Sequence, residues 1–319
     1  MDATVLPVSI GNPASCVFPK GYSFMLKCLL SLALIASLSG VCLADEPVKP
    51  AAPVPLNPEQ TVLLDKPGNR LLLKTTVCLR EGLLEMLVCP KQTKEHESIL
   101  SFNGKAQVVH AGLLALGLKP GHPARFGEKF ELPEGPELQL FVNWTDAENQ
   151  PHRRSAQEWI RHVTHRYFDA QLDTVPSGVP IDQGEQTLRY DANSKELLWY
   201  GPMTAKQRDI LLSHSNDEAY QIAVKKLYSN SQPKELKADW IFAGSGFSTL
   251  ESGESWYQAE AGSLICVANF GDATIDISVQ SSASGNDLLF EPYTERIPPA
   301  GTPVTLELIP VSKPESARN

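Results

Sequence analysis

The apolar positions of residues 61–116 change their period once, from alternation to a helical repeat. The alternating part is typical of strands, which are predicted at Thr61–Leu64, Arg70–Leu79, Leu83–Cys89 and Glu97–Phe102. The helical part, residues 105–116, has apolar side chains three or four positions apart and is followed by Gly117. This spacing predicts a helix with one buried face, which ends where glycine lets the chain turn.

Alternation returns after this helix and dominates the C-terminal part of the chain. Further strands are predicted at Glu137–Trp144, Ser155–Val163, Trp240–Phe247, Trp256–Glu260, Ser263–Phe270, Ala273–Val279, Leu288–Pro292 and Val304–Ile309. Residues 166–237 differ, because they predict a hairpin at residues 187–200 and two helices at residues 205–213 and 216–228. Each helix follows a capping-box pattern, Thr204 to Gln207 and Ser215 to Glu218.

These elements predict an α+β fold with a β-rich mixed domain. That domain comprises residues 61–165 and 238–310, with one core helix near 105–116. We interpret residues 166–237 as an insertion or subdomain, helical near 204–228, and residues 311–319 as a polar tail.

The N-terminus has the pattern of a secretory signal peptide at residues 25–44. Lys27 precedes an uncharged apolar run, and a small residue, Ala44, ends the segment. Residues 1–24 show no targeting pattern, so Met25 is interpreted as the true start and residues 1–24 as an over-extended one. Residues 45–60 form a proline-rich tether. We therefore expect export to the periplasm or the extracellular space, with a membrane anchor formed by an uncleaved leader as the alternative.

The net charge of the chain limits the classes of binding partner that we expect. The chain has 28 Lys and Arg residues against 37 Asp and Glu residues, a net charge of −9. An acidic chain without a basic cluster argues against nucleic acid as a partner. We expect a protein, peptide or envelope component as the partner, and no membrane span in the mature chain.

Several sequence blocks resemble the YdjY-type domain family of exported bacterial proteins, which have no assigned activity. The blocks are CLREGLLEMLVCPKQTKEHESIL, HAGLLALGLKPG, DWIFAGSGF, ICVANF and TERIPPAGTPV. The resemblance implies an exported location and one mixed α/β domain, and it implies no reaction. Some relatives are labelled ferredoxin-like, but a four-iron cluster needs four thiolates and the mature chain would have three.

The three cysteines beyond the leader, Cys78, Cys89 and Cys266, leave at least one thiol unpaired within the chain. A tight hairpin at residues 80–83 would place Cys78 and Cys89 roughly 13 Å apart, beyond the limit of about 7 Å for a disulfide. A disulfide therefore needs a wider loop or another pairing, such as Cys89 with Cys266.

Candidate chemistry concentrates in the same segment. Cys78, Cys89, His96 and His110 are possible ligands of a divalent metal, although their spacing matches no compact zinc motif. The simpler interpretation makes His110 a histidine at the edge of the core and Cys89 a small buried side chain. Absence of a cofactor is the leading expectation and a metal the minority one.

A binding site is also predicted in the Lys91–Ser98 loop. Lys94, His96 and Glu97 are its candidate residues, and the loop could form a lip with the helix start at Lys105. Exposed neighbours among the four tryptophans Trp144, Trp159, Trp240 and Trp256, which are otherwise expected in the core, would indicate a carbohydrate or peptide platform.

No catalytic residue is assigned. The segment at Ser245 has Ala243 where a nucleophile elbow requires glycine, and a strand follows it. The leading hypothesis is an exported, non-enzymatic binding or envelope-associated domain. The alternative is a metal- or redox-linked periplasmic domain that uses Cys89, His96 and His110.

Overall fold

A closed ring of eight strands organises the chain in the computed structural model, which describes residues 52–183, 187–281 and 289–311. The predicted signal peptide, the first residues of the tether and residues 312–319 of the tail lie outside the described residues. The described part of the predicted tether belongs to the folded domain, because Val54 and Pro55 pair with residues 63–64 and Leu56 packs against the core. Within the described ranges, no helix is long and apolar enough to cross a membrane.

The strands and helices have the following bounds. The first ten strands are β1 (Val54–Pro55), β2 (Val62–Asp65), β3 (Arg70–Val77), β4 (Met86–Pro90), β5 (Ser98–Phe102), β6 (Arg125–Phe126), β7 (Phe130–Glu131), β8 (Glu137–Thr145), β9 (Pro151–Ser155) and β10 (Ile160–His162). The others are β11 (Tyr167–Gln171), β12 (Arg189–Asp191), β13 (Glu196–Tyr200), β14 (Trp240–Phe242), β15 (Phe247–Thr249), β16 (Ser255–Tyr257), β17 (Ile265–Cys266), β18 (Ile275–Ile277), β19 (Phe290–Pro292) and β20 (Pro303–Pro310). The α-helices are α1 (Ala106–Ala115), α2 (Ala205–Ser213) and α3 (Glu218–Ser231).

The ring runs β3, β20, β8, β14, β18, β17, β4, β5 and back to β3. Its pairings are antiparallel except for β4 with β5 and β17 with β18, which are parallel. Closure leaves these strands without a free edge, and β2 and β9 extend the sheet beside β3 and β8. The broad α+β, β-rich prediction is confirmed, while the closed mixed barrel was not predicted.

Strand β3 shows why the alternating pattern predicted strands correctly. Leu71, Leu73 and Val77 are buried in the core, while Lys74 on the opposite face is exposed. Strand β20 repeats this arrangement beside it, with Leu306 opposite Leu73. Two strands with matching alternation bury one face of each against the same core.

The predicted tight hairpin at residues 80–83 is wrong. Strand β4 pairs with β5 and β17, while β3 pairs with β2, β5 and β20. The backbone groups of the connecting segment bond elsewhere, because Cys78 N donates to Ile99 O and Leu84 N donates to Phe290 O. Cys78 and Glu85 therefore do not face each other across a hairpin.

The core helix α1 forms where the helical period predicted it. Val109 and Leu113 are buried, and Gly112 lies so close to β3 that an added Cβ would be 2.5 Å from Leu71 Cδ1. At its N-terminus, the Glu260 carboxylate accepts from the N–H groups of Ala106 and Gln107 at 3.0 and 2.9 Å. A carboxylate at this end satisfies free donors and favours the helix dipole.

Residues 167–231 have a hydrophobic cluster of their own. The sheet β11-β13-β12 includes the predicted hairpin, with Asp191 opposite Glu196, and packs against α3. Trp199, Tyr220 and Leu227 are buried in this cluster. Strand β11, with buried Phe168 and Ala170, was not predicted. The interpretation of residues 166–237 as an insertion stays a prediction.

The two helix starts of this segment differ from each other. Thr204 and Gln207 form the predicted capping box before α2. The box predicted at Ser215 is wrong, because Asp217 is the cap of α3 and accepts from Tyr220 N at 2.9 Å. Asp217 directly precedes the first residue of α3, whereas Ser215 lies two residues further back. An aspartate is also as good an N-cap as a serine.

Several long strand predictions break into shorter pieces. Ser155–Val163 was predicted as one strand, but a helical turn at Ala156–Trp159 separates β9 from β10. At this turn Glu158 accepts from Ser155 N at 3.3 Å. Trp240–Phe247 is interrupted at Gly244, whose φ of +92° and contact with Pro120 leave no room for a side chain.

Candidate functional site

The Lys91–Ser98 loop is held to the barrel by Lys94. Its Nζ donates to Glu85 Oε2 at 2.7 Å and lies 4.1 Å from the ring centroid of Phe270. Gly262 packs against the aliphatic part of the same side chain. Lys94 therefore anchors the loop, since its charge is used inside the protein.

The other two candidates of this loop also gather at Glu85. His96 Nε2 lies 2.9 Å from Glu97 Oε1, and the imidazole is 71% exposed. The hydrogen bond that its carboxyl group donates to Glu85 raises the pKa of Glu97. Burial would raise the pKa of Glu85, but hydrogen bonds from Glu97 and Lys94 lower it overall. Glu85 was missed by sequence reasoning, because nothing in its local pattern marks it.

The depression beside this loop has different lining residues. It has a volume of about 550 Å³ and lies between the loop and the chain entering α1, where the lip was predicted. Its lining includes Cys78, Lys91, Gln92 and Glu95 rather than Lys94, His96 and Glu97. The predicted lip has a concave surface, whereas Lys94 and Glu97 bind Glu85. Binding by these residues stays a prediction.

All three described cysteines are free. Cys78 donates to Ser98 O at 3.1 Å, and burial raises the pKa of its thiol to about 12. The predicted Cys89–Cys266 disulfide does not form. Cys266 pairs with Met86, which lies three residues or roughly 10 Å along β4 from Cys89, so the Cα atoms are too far apart. Burial also raises the thiol pKa of Cys89 and of Cys266.

His110 belongs to a different environment. Its Nδ1 is 3.0 Å from the hydroxyl oxygen of Tyr257, and its ring meets Phe242 edge-on at 5.2 Å. Burial lowers the pKa of His110. His96 and His110 thus have separate neighbours, whereas Cys78 and Cys89 both interact with Ser98. Over the described parts of the chain, no group of three or more His, Cys, Asp or Glu side chains could hold a metal ion.

The four tryptophans divide into two groups. Trp159 and Trp240 are buried in the core as predicted, but Trp144 is only half-buried and Trp256 is 40% exposed. Trp144 lies near the end of β8, directly opposite His152 of β9. Their rings stack with centroids 4.8 Å apart and an interplanar angle of 15°, and Trp159 packs 5.2 Å from Trp144. This arrangement partly meets the criterion for an aromatic platform.

Asp146 fixes the histidine of this stack. His152 Nε2 lies 2.6 Å from Asp146 Oδ2, and this hydrogen bond is the main cause that lowers the pKa of Asp146. Asp146 also accepts from Gln150 N at 2.7 Å, which closes the β8–β9 turn. The hairpin therefore presents Trp144 and His152 as one rigid unit, which we call the Trp144 wall.

Three depressions adjoin the Trp144 wall and share Trp144. Their volumes are about 820, 500 and 320 Å³. The largest lies between Lys74 of β3 and Arg153 of β9. The other two border the loop that carries Arg296. We call the three together the Trp144 groove.

Charged residues of both signs line this groove: Lys74, Arg153, Arg154 and Arg296, and Asp146, Glu158 and Glu295. Neither Lys74 nor Arg154 has an ion-pair partner among the described residues, whereas Arg153 pairs with Glu307 at 2.9 Å. Trp159 lines the smallest depression, and its indole Nε1 is buried with no hydrogen-bond partner in the described structure. The indole Nε1 atoms of Trp199 and Trp240, outside the groove, are buried in the same way.

A family model described as the YdjY domain matches residues 62–175. Comparison with curated proteins and with solved structures found no significant match. The matched segment includes both the Lys91–Ser98 loop and the Trp144 wall, and the family prediction made from the sequence blocks is confirmed for it.

Proposed function

We propose that this chain, whose residues 62–175 match the YdjY domain model, is an exported protein that binds an acidic glycan along the Trp144 groove. The observation that carries this proposal is that three adjoining depressions share one half-exposed tryptophan, which a histidine stacks against. Grooves built from several depressions suit chain-like ligands better than compact ones.

Preorganisation supports binding at this wall. Ordering a free side chain on binding costs about 0.5–1.5 kcal/mol. Trp144 and His152 are already ordered, because they stack on each other and Asp146 binds His152 at 2.6 Å. The conformational entropy of these two side chains has therefore already been lost on folding, and ligand binding does not have to order them.

The polar lining favours an acidic, acceptor-rich ligand. Lys74 and Arg154 line the groove without an ion-pair partner among the described residues, although Asp146, Glu158 and Glu295 also line it and the chain as a whole has a net charge of −9. A sugar ring can place its C–H face on an aromatic side chain and its hydroxyl and carboxylate oxygens on donors.

Location outside the cytoplasm is part of the proposal. It rests on the signal-peptide pattern at residues 25–44 and on the tether that would separate the folded part from the leader. An exported glycan-binding domain would meet acidic polysaccharides of the envelope or its surroundings. The metal- or redox-linked alternative lacks a matching observation, because Cys89, His96 and His110 contact different neighbours.

Calorimetry with a galacturonic acid oligomer tests the proposal. We expect saturable binding that weakens with salt, and a loss of at least tenfold in affinity for Trp144→Ala. Trp256→Ala is the matched control, because Trp256 is 40% exposed on β16 and lies outside the three depressions. Arg154→Gln should weaken binding of the acidic oligomer while leaving the fold intact.

Two further ligands test whether the groove prefers acidic sugars. A neutral glucan oligomer should bind more weakly than the acidic one, since it cannot use Lys74 and Arg154. A glutamate-rich peptide of equal charge should also bind more weakly, because it offers no sugar face. Equal affinity of wild type and Trp144→Ala for the acidic oligomer would overturn the proposal, and preference for the peptide would reassign the ligand class.

A further inference from the structure

A second concave site lies beside the β10–β19 ladder. It is a cleft of about 630 Å³, and Arg161, His165, Glu291 and Glu295 are among its lining residues. Gly82 and two prolines, Pro202 and Pro233, complete its walls. This cleft is separate from the Trp144 wall, although Glu295 also borders one of the depressions of the groove.

Glu291 is a buried carboxylate held from two sides. Its side chain is 7% exposed, and its Oε1 accepts from Arg161 Nε and from Thr164 Oγ1, each at 2.8 Å. Burial alone would raise the pKa of Glu291, but the hydrogen bonds from His165 and Thr164 and the charge of Arg161 hold it below its usual range. Glu291 is therefore ionised at neutral pH and can only accept hydrogen bonds.

This carboxylate orients the imidazole of His165. His165 Nδ1 lies 3.0 Å from Glu291 Oε2, so Nδ1 must carry the proton of that hydrogen bond. The imidazole is 64% exposed, and its Nε2 has no partner among the described residues. The lone pair of a neutral His165 is thus on Nε2, and His165 is one of the residues that line the cleft. A carboxylate that sets the tautomer of a histidine in this way is the arrangement of an oriented general base.

We propose that His165, oriented by Glu291, is a general base that activates water for hydrolysis of a carboxylic ester in this cleft. His165 Nε2 takes a proton from water as the water oxygen bonds to the ester carbonyl carbon, whose π electrons move to the oxygen. The tetrahedral intermediate then reforms the carbonyl and expels the alkoxide, which takes the proton from the imidazolium. Ester and water become acid and alcohol, and His165 returns to its neutral form.

The charges of the cleft limit the substrate class. Glu81, Glu291 and Glu295 contribute three carboxylates, against the single guanidinium of Arg161. An ester with a negatively charged acyl group would be repelled, so a neutral or cationic ester is the expected substrate. This site goes beyond glycan binding and does not require it, since none of the cleft residues except Glu295 borders the groove.

Initial rates with 4-nitrophenyl acetate and with the 4-nitrophenyl monoester of succinic acid test the proposal. The neutral acetate should be hydrolysed faster than the anionic succinate. His165→Ala, at an exposed position, should reduce kcat by at least about a hundredfold, which is typical of the loss of a general base. Added imidazole should restore part of that rate. His214→Ala is the control, because His214 follows α2 and does not line the cleft.

A second measurement does not depend on the choice of substrate. Nitrogen NMR of the histidine ring should show His165 protonated at Nδ1 in its neutral form, and Glu291→Gln should shift this tautomer balance and lower kcat more than it raises KM. Three results would each overturn the proposal: wild-type rates no greater than those of equimolar imidazole, a His165→Ala variant as active as wild type, or a neutral His165 protonated at Nε2.

Discussion

Asp276 makes the stability of this protein depend on pH in a way that one substitution can isolate. Its side chain is fully buried and accepts from Ile277 N at 2.8 Å, from Asn269 Nδ2 at 3.0 Å and from Phe270 N at 3.3 Å. Despite these hydrogen bonds, burial raises the pKa of Asp276 from its model-compound value of 3.8 to about 7.

The direction of the effect follows from proton binding. The unfolded chain loses the Asp276 proton near pH 4, whereas the folded protein keeps it until about pH 7. Between these values the folded state binds the extra proton, so the free energy of unfolding falls as pH rises, by about 1.4 kcal/mol per unit. The full loss is on the order of 4 kcal/mol and is complete above the folded pKa.

Asp276→Asn removes this titration and introduces an amide. The Asn NH₂ group must face one of the backbone donors that Asp276 now accepts from, at a cost of about 1–3 kcal/mol. The variant should therefore be less stable than wild type at pH 5, and the difference should shrink or reverse at pH 8. The measurement is urea unfolding followed by circular dichroism at half-unit intervals from pH 5 to pH 8.

The difference between variant and wild type is the informative quantity. Burial lowers the pKa of His110 and of His162, so these histidines add stability as pH rises towards 6.5. Their contribution is common to both proteins and cancels in the difference. Asp239→Asn, at an exposed position, should keep the wild-type dependence. A pH-independent difference between Asp276→Asn and wild type would refute the reasoning.

Two further predictions concern the thiols and the helix caps. In native protein at pH 8, Ellman's reagent should modify Cys78 slowly and Cys89 and Cys266 hardly at all, because burial raises the pKa of all three thiols. All three cysteines should react in guanidinium, since all three are free. Reaction of fewer than these three would reveal a disulfide. Thr204→Ala and Asp217→Ala should each lower the free energy of unfolding by about 1 kcal/mol, since each side chain caps a helix, and no change in chemical denaturation would contradict the assigned caps.

The local elements could be predicted because their signals are local. Strands β3 and β20 have eight residues each and α1 has ten, long enough for the period of apolar positions to identify them. Short strands do not show such a pattern. Strand β17 consists of Ile265 and Cys266 alone, and the longer strand predicted there reflects general burial rather than pairing.

Closure of the barrel could not be predicted from these signals. The contact of β3 with β20 joins Thr75 to Val304, residues far apart in the sequence. The turn residues 80–83 suggested that β4 pairs with β3. Instead, β5 pairs with both β3 and β4. Turn composition at residues 80–83 gave the wrong partner because both flanking strands found longer ladders elsewhere.

The same limit explains why sequence reasoning placed its candidate binding residues in the Lys91–Ser98 loop rather than along the β8–β9 pair. The Lys91–Ser98 loop collects charged residues in a short stretch, but Lys94 and Glu97 bind Glu85 and hold the loop in place. The sequence marks Trp144 only as one of four tryptophans that could form a platform, and its stacking with His152 could not be predicted, because it depends on the register of β8 with β9. A functional surface made by strand register becomes visible only when the register is known. The binding experiment with Trp144→Ala therefore tests a groove whose assembly around Trp144 only the structure shows.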